Sequence, residues 1–158
     1  MVVLKKVMFI SSTGGHLSEL LELKKTMKKF ESYLVTEKAE TSNALSFSYV
    51  KKVFYLVPGT RYHFSYIYKF PYNCIKSLII FLKVRPDVVV STGAHTAVPM
   101  CYIAKIFRKK VIFIETMANI NTKTLTGRLI YPIADVFIVQ WEEMLKLYPK
   151  AIYGGWIY

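Results

Sequence analysis

Short runs of Val, Ile and Phe recur along the chain and alternate with stretches in which apolar residues return every three or four positions. The continuous runs suit strands buried on both faces, and the three-to-four spacing suits helices with one buried stripe. The pattern predicts strands near residues 6–11, 33–36, 52–57, 87–91, 111–115 and 136–139, with helices filling most of the gaps. Strand and helix in regular alternation give an α/β fold, a Rossmann-like parallel sheet with helices on both faces. The longest helix is expected over 70–84, with Pro71 in its first turn. It ends before Arg85-Pro86, because Pro86 disfavours a helical predecessor and lacks the amide needed to continue. The apolar part of this helix, Ile75 to Leu82, is expected mostly in the core. No internal repeat and no Gly/Ser-rich or Pro-rich linker divides the sequence, so residues 1–158 read as a single domain.

At 53% hydrophobic, the chain has material for a full core and no room for long disordered tails. Its net charge of +12 is spread out, with twelve basic against five acidic residues in 1–80 and ten against five thereafter. Such a charge suits nucleic acid, anionic lipid or diphosphate-bearing substrates and does not choose among them. Cys74 and Cys101 lie in apolar surroundings without a CxxC spacing. They read as small buried hydrophobes in a reducing compartment, and neither a metal site nor a disulfide framework is expected. Met1 to Val3 with Lys5-Lys6 lead directly into a strand and carry no export signal. Lys76 and Lys83 interrupt the longest apolar patch well short of the ~20 residues that span a bilayer, so no transmembrane helix is expected.

In an open parallel α/β sheet, ligands settle beyond the carboxyl ends of the strands, so the candidate chemistry is sought there. After the first strand comes Ser11-Ser12-Thr13-Gly14-Gly15-His16, a glycine turn that opens the helical pattern Leu17, Leu20, Leu21. Gly14 and Gly15 let the backbone approach a ligand, and the free amides of a helix start attract phosphate or carboxylate. The loop matches neither the Walker nor the dinucleotide fingerprint, and a ligand-free turn is the alternative. Pro58-Gly59-Thr60, Ser91-Thr92-Gly93-Ala94-His95, Glu115 to Asn119 and Gln140-Trp141 follow the later strands. From Tyr62 to Tyr72, Tyr62, Phe64, Tyr66, Tyr68, Phe70 and Tyr72 alternate with other residues beside Arg61, His63 and Lys69. This segment suits contact with anionic lipid headgroups, or an aromatic loop packed on the protein's own sheet.

With the Gly-Gly-His loop, the Ser-Thr-Gly-Ala-His loop and the segment Ile114-Glu115-Thr116-Met117-Ala118-Asn119 in place, the chain resembles a known family. It is similar to the membrane-associating subunit of two-component glycosyltransferases. These are the bacterial capsular and exopolysaccharide biosynthesis proteins and the eukaryotic subunit that helps add the second GlcNAc to dolichol-diphosphate. The resemblance runs over essentially the whole chain and extends to the N-terminal, acceptor-side half of the one-chain GlcNAc transferase of the peptidoglycan lipid precursor. In such a GT-B enzyme two Rossmann-like halves face each other across a cleft, and the C-terminal half binds the nucleotide-sugar. This sequence reaches Gly154-Gly155-Trp156 about where a second half would begin, so the donor lobe is expected on a separate small catalytic subunit. One departure from the eukaryotic members is the lack of an N-terminal membrane-spanning helix. The expected location is the cytoplasmic face of the cell membrane, with attachment peripheral or through the partner.

The resemblance implies a subunit, inactive or weakly active alone, of a hexosyltransferase that extends a polyprenyl-diphosphate-linked saccharide in polysaccharide biosynthesis. No cofactor is expected in this chain, and the nucleotide-sugar donor, expected to be a UDP-sugar, would be bound mainly by the partner. His16 is the leading candidate general base, because a helix N-terminus lowers an imidazole's proton affinity and favours the neutral form that a base requires. A bond to a neighbouring loop is the alternative. Gly14 and Gly15 would approach a diphosphate, while Thr92, Gly93 and His95 would meet the acceptor diphosphate or serve structure. Glu115 ends a buried strand, where an unpaired carboxylate is costly. By resemblance it and Asn119 would orient the acceptor sugar, and loop bracing is the alternative. Trp156 and Tyr158, with Trp141 on the same side, are candidates for the partner interface or for packing on this domain. Arg61, Tyr62, Phe64, Tyr66 and Lys69 are the candidate membrane contacts. Two other function classes stay open: a stand-alone nucleotide-binding or oxidoreductase domain with Glu31 or Glu37 as the ribose-binding acid, and a basic nucleic-acid-binding protein, for which no recognised motif is present.

Overall fold

The computed structural model describes residues 4–39, 46–59 and 64–157. Met1 to Val3, Thr60, Arg61, Tyr62, His63 and Tyr158 lie outside the described residues. Seven parallel strands form one sheet in the order β3-β2-β1-β4-β5-β6-β7. They are β1 (Lys6–Ser11), β2 (Glu31–Glu37), β3 (Lys52–Leu56), β4 (Val88–Gly93), β5 (Lys110–Ile114), β6 (Val136–Val139) and β7 (Ile152–Tyr153). The first six stand where the apolar runs predict them. The seventh was not expected: it has two exposed residues and no apolar run of its own, and it exists because it pairs with β6.

Alternation along the strands divides the core into two layers. Met8 and Ile10 of β1, with Val35, Val89 and Phe113, face α3 (Tyr66–Val84), α4 (Val98–Ile106) and α5 (Leu125–Ile130). Val7 and Phe9, with Leu34, Val90 and Ile114, face α1 (Gly15–Glu22) and the single turn α2 (Lys24–Met27). Helices therefore cover both faces, as the sequence implies. Cys101 is fully buried in the first layer, and burial pushes its thiol up to about 12, the behaviour of a small hydrophobe.

The long helix departs from expectation twice. It starts at Tyr66, so Pro71 lies inside it rather than in its first turn. Ring contacts favour the earlier start: Tyr66 packs on Phe70, one turn along the helix, at 5.4 Å and edge-on to His95, after β4, at 5.3 Å. At the other end Arg85 takes a left-handed φ of 52° and donates its amide to the Phe81 carbonyl, and Pro86 follows as predicted. The second departure concerns the core. Ile80, Phe81 and Val84 are buried, but Ile75, Leu78, Ile79 and Leu82 are exposed. Apolar residues encircle the helix, and only one stripe can face the sheet.

Asn73 fastens this helix to the sheet. Its Oδ1 accepts from the Val57 amide at 2.9 Å, and its Nδ2 donates to the Val57 carbonyl at 2.8 Å, just beyond β3. Asn73→Ala leaves both backbone groups without these partners, and a loss of about 1–3 kcal/mol is expected. It is measured as a lower midpoint in urea unfolding with little change in slope.

Candidate functional site

Strand order reverses between β1 and β4, and the crevice this creates lies at their carboxyl ends. The β1–β4 pairing continues to Ser11 opposite Gly93, and the Ser12 amide donates to the Gly93 carbonyl at 3.0 Å. The loops after these two strands therefore touch. Gly14 caps α1 with φ +75°, a backbone state that glycine adopts without strain, and no side chain caps this helix start. A Cβ on Gly14 or Gly15 would meet nothing within 4 Å, so the glycine turn faces open space. The uncapped amides are an available positive end for an anion.

His16 sits at the first turn of α1 and is bonded reciprocally to β4. Its Nδ1 donates to the Thr92 carbonyl at 2.9 Å, and Thr92 Oγ1 donates to the His16 carbonyl at 2.7 Å. A carbonyl only accepts, so Nδ1 carries the hydrogen and Nε2 keeps the lone pair of the neutral ring. Gly93 makes room for it: its φ is +102°, and a Cβ there would stand 3.3 Å from His16 Cε1. The expectation of a lowered proton affinity is overturned. The Glu19 carboxylate, one turn along the same helix, raises the His16 pKa above 6.5 against the opposing effect of burial.

Glu115 follows β5 directly and is 2% exposed. Thr124 Oγ1 donates to both carboxylate oxygens at 3.0 Å, Tyr148 OH donates to Oε2 at 3.1 Å, and the Thr116 amide donates to Oε1 at 3.2 Å. Burial raises its pKa, and these hydrogen bonds only partly offset that. Burial and the same carboxylate raise the Tyr148 phenol. His16, Thr92, Gly93, Glu115 and Thr124 line one cavity of about 140 Å³. The structure thus brings four of the predicted site residues to one wall.

The others stand apart or are engaged. The His95 ring packs against Tyr66, with Gly59 beside it. Asn119 braces its own loop, its Nδ2 donating to the Thr122 carbonyl at 2.8 Å and its Oδ1 accepting from Thr122 Oγ1 at 2.6 Å. Trp141 is half-buried and donates Nε1–H to the Met117 carbonyl at 2.8 Å. Trp156 meets it edge-on at 5.9 Å and is still 66% exposed. Phe64 is 83% exposed, whereas Tyr66 and Lys69 are half-buried. Neither acid considered for a ribose is placed for it. Glu31 starts β2, at the amino edge of the sheet, and pairs with Lys51 at 2.7 Å. Glu37, at the correct edge, accepts from Thr96 Oγ1 at 2.7 Å and Thr13 Oγ1 at 3.3 Å and so clips two loops together.

Sequence reasoning missed Glu19, Thr124, Gly127 and Tyr148. Glu19 stands three residues after His16, a spacing that puts both on one helix face. Thr124 is the N-cap of α5. Gly127 and Tyr148 carry no local signal, because their roles come from packing across the fold.

The parallel Rossmann-like sheet, with its switch point between β1 and β4, is similar in fold to the N-terminal half of a GT-B glycosyltransferase. Acinetobacter baumannii MurG has this fold: it superposes with a TM-score of 0.71 at 17% identity, over 88% of this chain and 42% of the MurG chain. Residues 7–157 match the family described as "Oligosaccharide biosynthesis protein Alg14 like", and the chain belongs to that family. Relatives include the UDP-N-acetylglucosamine transferase subunit ALG14 of Candida albicans, 32% identical over 161 residues, covering 90% of this chain and 74% of the relative. The protein of the same name from Yarrowia lipolytica is 28% identical over 175 residues, covering 95% of this chain and 80% of the relative.

Gly127 tests the Glu115 anchor. A Cβ there would fall 2.2 Å from Glu115 Oε2 and 2.4 Å from Tyr148 OH. Gly127→Ala therefore forces the buried pair apart, and a loss of about 1–3 kcal/mol is expected. Thermal unfolding measures it, and an unchanged Tm would contradict the tight packing around Glu115.

Proposed function

We propose that this chain is the acceptor-binding and activating subunit of a two-chain glycosyltransferase that moves a hexose from a UDP-sugar to a polyprenyl-diphosphate-linked saccharide. The relatives support the subunit role, since they are named as subunits of a UDP-N-acetylglucosamine transferase. The observation that carries the reading is the His16 ring, whose Nδ1 is held by Thr92 while Nε2 is left to take a proton beside the open glycine turn.

In the reaction the acceptor hydroxyl oxygen forms the new bond to the anomeric carbon as its proton passes to His16 Nε2. The bond from that carbon to the donor diphosphate breaks, and its electron pair leaves on the nucleoside diphosphate. Preorganised amides at the start of α1 stabilise the charge that develops on the phosphates. Glu115, with its oxygens already engaged, holds the wall against which the acceptor sugar rests. The partner supplies the lobe that binds the nucleotide-sugar, and exposed Trp156, beside Trp141 and preceding Tyr158, is assigned to that contact.

The outer face of α3 and α4 supports docking on an anionic membrane. Ile67, Tyr68, Ile75, Ile79, Ile106 and Phe107 are exposed on it, and Lys76, Lys83, Lys105 and Arg108 lie on the same helices or at their ends. Among the described residues no helix is long and apolar enough to cross a membrane. Contact along the helix sides, with about 1.5–3 kcal/mol gained for each large side chain fully buried, suits this surface instead. Both helices begin at the carboxyl edge of the sheet, so the site and the lipid face meet at one end.

Transfer from UDP-GlcNAc to a polyprenyl-diphosphate saccharide is expected from the two-chain mixture and little from this chain alone. Equal rates from the single chain would refute the two-chain reading. In the mixture His16→Ala lowers kcat by about 10²–10⁴. For the membrane surface, the double variant Ile75→Asp, Ile79→Asp keeps its unfolding midpoint and loses flotation with vesicles containing anionic lipid. Undiminished flotation would remove that face from the account.

A further inference from the structure

The Glu19 side chain is 11% exposed and joins two parts of the site. Its Oε1 accepts from Thr116 Oγ1 at 2.7 Å and from the Met117 amide at 3.2 Å, which ties α1 to the segment after β5. Its Oε2 is buried without a hydrogen-bond partner among the described residues and lies 3.8 Å from His16 Nδ1. A buried, unpaired carboxylate oxygen is costly, and the cost falls when a positive charge forms beside it. The nearest group able to become positive is the His16 ring.

We infer that Glu19 is a positioning residue for His16, a carboxylate that balances the imidazolium formed during transfer and holds the Glu115 segment in register with the ring. The inference rests on the acceptor-side reading. When Nε2 takes the acceptor's proton, the oxygen's electron pair goes into the new bond and the donor diphosphate leaves with the pair of the broken one. The ring is then a cation whose Nδ1 hydrogen stays on the Thr92 carbonyl at 2.9 Å, with Glu19 Oε2, 3.8 Å from the same nitrogen, as its counter-charge. Oε1 stays on Thr116 and Met117 throughout, so the loop does not move as the charge appears. One carboxylate thereby serves two purposes through its two oxygens.

The charged groups acting on His16 are Glu19 from its own helix and Glu115 from the end of β5, while β4 contributes the Thr92 carbonyl. Burial keeps the Glu115 carboxyl above its ordinary range, which makes it the weaker source of negative charge. Glu19 therefore sets the ring's titration. A base with a raised pKa is protonated further up the pH scale, so the acid limb of transfer lies above 6.5 and moves to lower pH when Glu19 loses its charge.

Glu19→Gln keeps the shape and the acceptor for Thr116 while removing the charge. NMR titration of the His16 Cε1–H resonance in the full chain is expected to give a lower midpoint in this variant. In the two-chain complex the acid limb of kcat shifts the same way, kcat falls about tenfold, and the acceptor KM stays within about twofold. An unmoved His16 midpoint overturns the inference, even if kcat falls, because bracing alone would explain the loss. A measurement on the unmodified chain does not depend on how the variant folds. The Glu19 carboxyl carbon resonance steps at the His16 midpoint if the two are paired, and a flat response overturns the pairing. Should the midpoint fall while the wild-type complex transfers no sugar, the pairing stands and the acceptor-side reading fails.

Discussion

Two parallel strands that lie side by side must send their following loops into the same space. β1 and β4 are such a pair, and the reciprocal bonds between His16 and Thr92 settle how their loops share the crevice. Everything at the site depends on that exchange. It fixes the tautomer of the imidazole, brings α1 to the edge of the sheet, and requires a glycine at 93, where a side chain would press on the ring. The same geometry leaves the glycine turn at 14–15 facing outward, with amides free for an anion.

Around this centre the loops are clipped by carboxylates and threonines. Glu37 holds Thr13 and Thr96, Glu19 holds Thr116, and Glu115 holds Thr124. The first two join segments distant in sequence, the third closes a short loop between β5 and α5, and each carboxylate is largely buried. Hydrogen bonds to a charged group contribute about 1.5–3 kcal/mol each, enough to order short loops that have little core of their own. A wall ordered in this way needs no rearrangement when charge develops against it, which is the condition for electrostatic catalysis. In the proposed reaction the arrangement also separates two tasks: carboxylates position, and the histidine exchanges the proton.

The sheet was legible because its strands are buried on both faces and read as continuous apolar runs, while the loops between carried Gly14, Gly93 and two histidines at the right ends. β7 was not legible, since Ile152 and Tyr153 are exposed and gain their structure only from β6. The apolar girdle of α3 hid which stripe faces outward, because periodicity shows an apolar face without showing what covers it. At the site, the sequence pointed to His16 and Glu115 but not to their partners. Glu19 was within reach of an i,i+3 argument, and overlooking it reversed the sign of the expected shift at His16. Tyr148 and Gly127 meet Glu115 only through the packing of α5 and the residues after β6, a relation no local pattern records.

In the proposed function the carboxyl edge of β1, β4 and β5 is the acceptor's seat and the outer face of α3 and α4 its approach. Mapping the backbone amide resonances of the full chain during titration with a short-chain, water-soluble polyprenyl-diphosphate saccharide tests this most directly. The predicted result is a set of shifts confined to residues 12–19, 91–96 and 115–119, saturating together. Shifts at the amino edge of the sheet, around Glu31 and Asp135, with none near His16, would contradict it.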